Sequence, residues 1–188
     1  CIAKNHPKFN PNGGYWLGSV WAPTNFMTLK GLEVNDFTDE ARIFSQKYLD
    51  GLLEVFLKTG TLWETYAPMK DSSGNIRQDD GARRDFVGWT GLGPITLLLE
   101  NIIGITLDPI NKKINWDLNR LDLHGIKNLS VGKNTLSLIS KPRKSRNEYS
   151  LDLDTTKCSE KINLVIKNMG KKREITLDPG LTINIKRP

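Results

Sequence analysis

Residues 36–60 carry the strongest pattern in the chain. Phe37, Ala41, Phe44, Tyr48, Leu52, Val55 and Phe56 recur at three- and four-residue steps, the spacing that lines one face of a helix. Ile43, Leu49, Leu53 and Leu57 widen the stripe, so the pattern predicts a helix buried over much of its circumference. Asp36 or Thr38 can cap its start, Asp39 and Glu40 suit the positive end of its dipole, and Gly60 suits a left-handed stop. A shorter helix over about Pro23–Val34 precedes it with almost no connector, which predicts an antiparallel helix pair. A third helix, apolar nearly all round, is predicted from Gly93 or Pro94 through Ile95, Leu98, Leu99 and Ile102 to a stop at Gly104. Between the second and third helices lie roughly 28 residues without periodicity, longer than compact domains usually tolerate in a mere connector.

After Asp108 the period changes to two. "KINWDL", "NTLSLIS", "EYSLDLD", "KINLVIKN", "REITLD" and "LTINIK" are short alternating segments separated by turn signals such as "VGKN", "NMGKK" and "DPG", the pattern of an antiparallel sandwich or barrel. The expected fold class is therefore α+β: a helical region over 1–108 followed by a small antiparallel β-sandwich domain over 109–188. Trp116 and Tyr149 fall in the alternating segments and are expected to pack in that domain.

Charge divides at the same place. Residues 1–108 carry 10 Lys+Arg against 13 Asp+Glu, a net of −3, which leaves +9 of the total +6 on residues 109–188. The lysines of the basic part are spread along strand-like segments without interleaved aromatics, so they suit a solvated sheet face better than a nucleic-acid site. No apolar run approaches the ~18 residues of a membrane span, and the N-terminus has no signal-peptide hydrophobic region. Cys1 and Cys158 are too few for a disulfide framework and have no ligand-like spacing to His6 or His124. Neither a metal nor a cofactor is expected. Cys1 lacks the Ser/Gly-rich tether that follows a lipidated cysteine, and the chain is expected to be a piece of a longer one.

Candidate chemistry sits in three segments: "GGYWLGSVWAPTNF" (13–26), "LWETYAP" (62–68) and "DFVGWTGLGP" (85–94). Each couples glycines, which let backbones approach closely, with Trp or Tyr near a helix mouth. Aromatic faces beside carboxylates and amides are the materials of a sugar site, since a pyranose offers an apolar face and a rim of hydroxyls. The same residues also serve as core aromatics and tight helix entries, and composition leaves both readings open. Asp79, Asp80 and Asp85 in "RQDDGARRDF" are expected to pair with Arg77, Arg83 and Arg84 on a solvated loop.

The order Gly-Gly-x-Tyr-Trp-x-Gly-x-Val-Trp-x-Pro-x-Asn (13–25, in loose form), Thr-Gly-x-x-x-Glu-x-Tyr (59–66) and Gly-Trp-Thr-Gly (88–91) resembles the C-terminal part of trehalase-like glycoside hydrolases. That group includes trehalases, related processing α-glucosidases and mannosylglycerate-hydrolase-like enzymes. The resemblance implies part of an (α/α)6 barrel and an inverting hydrolase of α-linked glycosides that uses two carboxylates. It implies Glu64 as the general base, with Tyr15, Trp16, Trp21, Asn25, Trp63, Tyr66 and Trp89 around the sugar. Leu17 stands where close members often carry Arg, and the family's acid belongs to an earlier segment absent from this sequence, so the chain would hold half a catalytic pair. Glu64 also suits a substrate-orienting or structural acid, or an incidental loop residue. The expected partners are a carbohydrate substrate, the N-terminal part of the same enzyme, and a second copy of the chain through the stripe on 37–57. The alternative function is a carbohydrate-binding or structural interaction module without catalysis.

Overall fold

The computed structural model describes residues 2–83, 86–91 and 93–187. Cys1, Arg84 and Asp85 lie outside the described residues. The chain divides into two compact units, Cys1–Leu98 and Leu99–Pro188.

In the first unit, α1 (Ala22–Val34) has Pro23 in its opening turn, where the missing N–H removes no helical bond. After a three-residue link, α2 (Thr38–Thr59) packs on it. Phe37 occupies the N-cap of α2 without a side-chain capping bond, so neither expected cap is used. Gly60 stops the helix in the left-handed region, donating its N–H to the Phe56 carbonyl at 2.8 Å. Ala41, Ser45, Leu52 and Val55 are buried, whereas Phe37, Ile43, Phe44, Leu53, Phe56 and Leu57 are exposed. The stripe thus belongs to two faces, and only one is covered within the chain, which corrects the expectation of a helix buried over most of its girth. The third helix, α3 (Gly93–Leu97), widens into a π-type turn (Leu98–Ile103) before Gly104 at φ 86°.

Two short strands cross this unit. Val20–Trp21 (β1) pairs antiparallel with Thr65–Tyr66 (β2), Val20 opposite Tyr66 and Trp21 opposite Thr65. A further bridge joins Tyr66 to Gln78, and the Asp79 N–H reaches the Thr65 carbonyl at 3.4 Å. These pairings bring together the segments around residues 15, 65 and 79, which the sequence keeps far apart.

The second unit contains β3 (Ile105–Asp108), β4 (Lys113–Asp117), β5 (His124–Val131), β6 (Asn134–Ser140), β7 (Tyr149–Lys157), β8 (Ile162–Asn168), β9 (Lys171–Leu177) and β10 (Thr182–Arg187). They form two four-stranded sheets, ordered β10-β7-β6-β5 and β3-β4-β8-β9. Alternation decides their faces. Ile114 and Trp116 of β4, Leu136 and Leu138 of β6, Leu151 and Leu153 of β7, and Ile162, Leu164 and Ile166 of β8 enter one shared core. Trp116 is fully buried and its indole N–H donates to the Ile103 carbonyl at 3.1 Å. His124 packs edge-on against it, centroids 6.0 Å apart. Its Nδ1 lies 2.8 Å from the Asp122 carbonyl, the buried Nε2 has no partner among the described residues, and burial pushes its pKa down. The neutral ring is the form this site accommodates.

The architecture overturns the toroid. An (α/α)6 barrel alternates inner and outer helices, whereas the described residues hold three helices and ten strands in three sheets. The second unit also departs from the all-antiparallel expectation, because β4 runs parallel to β8 with Lys113 opposite Asn163. With the barrel goes the structural basis for a trehalase- or α-glucosidase-like enzyme.

Candidate functional site

Of the eight residues picked out from the sequence, four meet. Tyr15 and Trp16 lie in a short 3-10 turn, Tyr15–Leu17. Tyr15 stands edge-on to Trp21, with centroids 4.5 Å apart. Trp16 stacks flat on Trp21, at 4.2 Å and 6°. Trp21 is 2% exposed and anchored by its indole N–H to the Tyr15 carbonyl at 3.2 Å, while Trp16 is 46% exposed. One face of Trp16 is covered by Trp21, so the remaining indole surface is offered to solvent. The Tyr15 hydroxyl faces Glu64 Oε1 at 3.5 Å. Burial, followed by the field and hydrogen bond of Glu64, raises the Tyr15 pKa, so the phenol keeps its proton.

Glu64 is buried, its carbonyl accepting from the Thr90 hydroxyl at 3.0 Å. Gly88 makes this close approach possible: at φ 55°, a Cβ there would stand 2.8 Å from Glu64 Cγ. The Gly-Trp-Thr-Gly motif therefore holds Glu64 in place through Gly88 and Thr90.

The other four do not join the Tyr15–Glu64 contact or the Trp16–Trp21 stack. Asn25 spends its amide on the Trp21 carbonyl at 2.7 Å and lines a cavity of about 500 Å³ with Tyr48, Leu52 and Tyr66. Tyr66 packs against Leu52 and Val55, donates no bond to Glu64, and accepts the Trp63 N–H at 3.2 Å. Burial pushes its pKa up to about 12. Trp63 tilts against the Tyr66 ring at 5.6 Å, so both serve the packing of α2. Trp89 is 61% exposed beside Phe26 and Pro23, at a cavity of about 330 Å³.

Sequence reasoning missed the residue that organises the loop. Asp79 is buried and accepts five hydrogen bonds, which corrects its expected place on a solvated loop. The Gly14 and Gly81 N–H groups donate to Oδ1, both at 2.8 Å. Oδ2 receives the Tyr15 N–H at 2.9 Å and the hydroxyls of Ser19 at 2.6 Å and Thr65 at 3.1 Å. Successive left-handed residues, Gly13, Gly14 and Tyr15, turn two N–H groups onto one carboxylate, a concave anion nest. A side chain at Gly13 would collide with Asp79. Burial alone would raise the Asp79 pKa, but the bonds from Ser19, Gly81, Tyr15 and Thr65 outweigh it and hold the carboxyl below its ordinary range. Arg77, its expected partner, instead donates to the Asn12 side chain at 2.9 Å. Arg83 lies 5.8 Å over the Phe86 ring. The available signal was the coincidence of "GGYW" with "DDG", a run of donors and an acid that meet only in the folded chain.

No protein-family model and no solved structure matches the chain. An uncharacterized protein of Borreliella burgdorferi is 29% identical over 182 residues, 94% of this chain. The chain spans 37% of that relative's length. None of these comparisons supports a glycoside hydrolase, and together with the fold they remove the ground on which Glu64 was read as a general base.

Proposed function

We propose that the first unit is a carbohydrate-recognition module that binds without catalysis. The observation that carries this reading is the exposed indole of Trp16, held flat by the buried Trp21 and set beside the Tyr15–Glu64 pair. A rigid aromatic platform stacks on the apolar face of a pyranose at small entropic cost, and a phenol and carboxylate at its margin suit the hydroxyl rim. Titrating a panel of neutral oligosaccharides against the full chain tests the reading. Trp16→Ala should weaken binding about tenfold, the scale of one lost stacking contact. The sugar should be recovered intact. Absence of binding across the panel, or equal affinity in the variant, would overturn it.

The uncovered face of α2 favours an additional protein contact, and we propose a second copy of the chain as its occupant. Leu53, Phe56 and Leu57 form an exposed patch at helical spacing. Asp39 and Glu40 open α2 and Lys58 closes it, so two antiparallel copies about a two-fold axis match acidic ends to basic ones. Sedimentation velocity should show concentration-dependent dimers that Leu57→Lys abolishes. A monomer at every concentration would end this proposal.

A further inference from the structure

We propose that the second unit binds a small phosphate-bearing ligand in a cationic slot between its two sheets. Strand register supplies the argument. On β9, the positions that face the core are Leu177 and Ile175, paired with Ile162 and Leu164 of β8. The same face continues to Arg173 and Lys171, opposite Ile166 and Asn168. On β10, Ile183 and Ile185 face the core opposite Leu153 and Leu151, and the next position on that face is Arg187, opposite Tyr149. At one end of the unit, both edge strands thus replace aliphatic residues with cations.

These residues surround a cavity of about 290 Å³, floored by Tyr149, Ile166 and Asn168, with Lys172 at its margin. Among the described residues, Lys171, Lys172, Arg173 and Arg187 have no carboxylate partner. Of the lysines elsewhere in the unit, four have one, Lys112 with Glu160, Lys113 with Glu174, Lys141 with Asp152 and Lys161 with Asp178, so what sets the slot apart is that its cations share one cavity. Glu174, beside Arg173, lies on the opposite face. Glu148 is engaged by the backbone N–H groups of Lys144 and Ser145. The Tyr149 hydroxyl has no hydrogen-bond partner among the described residues, so it is available to donate to a ligand. Like charges turned into one slot repel, and an oxyanion there relieves the repulsion while accepting the forked donors of two guanidinium groups. The volume falls at the small end of ligand sites, which suits a compact phosphomonoester. Inward charges on edge strands also guard against edge pairing, and the experiment separates the two.

Amide spectra of the full chain are recorded with glucose 6-phosphate, glucose and inorganic phosphate at constant ionic strength. The phosphates should shift Tyr149, Arg187 and residues 171–173, and glucose should not. Arg173→Gln with Arg187→Gln should weaken glucose 6-phosphate at least ~tenfold. The control Lys127→Gln with Lys133→Gln, which removes the same charge from exposed positions, should leave affinity within about twofold. Vesicles of phosphatidic acid and phosphatidylcholine form a second arm. Binding to the acidic vesicles that glucose 6-phosphate fails to displace would assign the phosphate to a lipid headgroup. Scattered shifts over many lysines, equal losses in both variants, or no binding in either arm would overturn the proposal and leave edge protection as the role of these cations. If the pocket variant fails to fold, the wild-type shift map still decides.

Discussion

Replacing Asp79 with alanine should destabilise the first unit by about 3 kcal/mol or more and release the Trp16 platform. The magnitude follows from the donors left behind. Three N–H groups and two hydroxyls converge on one carboxylate, and a hydrogen bond to a charged group contributes ~1.5–3 kcal/mol, less than additively when several share it. Asp79→Asn should cost less. Its oxygen can keep the Gly14 and Gly81 bonds, and the Ser19 and Thr65 hydroxyls can turn to accept from Nδ2, but the Tyr15 N–H then faces another donor. Urea unfolding followed by tryptophan fluorescence is the measurement; an alanine variant within about 0.5 kcal/mol of the parent would contradict the hub role. The acid limb gives an independent check. The folded-state pKa of Asp79 lies below the ordinary 3.8, so its contribution is complete above that value and is lost as pH falls through the folded one. Acid unfolding of the first unit should steepen below about pH 4, and Asp79→Asn should flatten it.

Arg143→Met should be the most damaging single change in the second unit, at about 3–5 kcal/mol. Arg143 is 8% exposed and its guanidinium ties four acceptors together. It donates to the carbonyls of Arg120 at 2.9 Å, Glu148 at 3.0 Å and Leu118 at 2.5 Å, and to Asn168 Oδ1 at 3.1 Å. Burial, together with the nearby Arg146, pushes its pKa down, yet it stays charged because an arginine starts so high. Methionine keeps much of the stem but orphans every acceptor. Lysine should be intermediate, since one ammonium cannot span acceptors arranged around a planar fork. Thermal unfolding read at Trp116 reports the unit directly. Equal stability of the methionine variant would show that water replaces the guanidinium without loss.

Neither Asp79 nor Arg143 stands out in the sequence, and the reason is common to both. "RQDDGARR" reads as solvated charge and nothing local marks Arg143 within "KPRKSRN", because burial of an ion depends on donors or acceptors supplied from tens of residues away. Local periodicity behaved differently. The apolar steps of 37–57 became a helix and the alternation of 134–140, 149–157 and 162–168 became strands, since each pattern lies within its own element. Strand β5 was not legible: a register shift between Ile126 and Leu129, with Asn128 at φ 55°, breaks its alternation. The two-residue strands β1 and β2 are too short for any period. Motif order misled about the whole fold, because "GGYW", "ETY" and "GWTG" describe how one loop is cradled. Such a cradle does not specify the number of helices around it.

The parallel pairing of β4 with β8 has a consequence for assembly. Lys113 and Asn163 are neighbours in space but about 50 residues apart, and the whole of β5, β6 and β7 lies between them. The hairpins of β5–β6 and β8–β9 close locally. The β4–β8 seam closes only after the larger loop entropy has been lost, which makes it a late event in folding and ties the speed of the unit to one long-range contact.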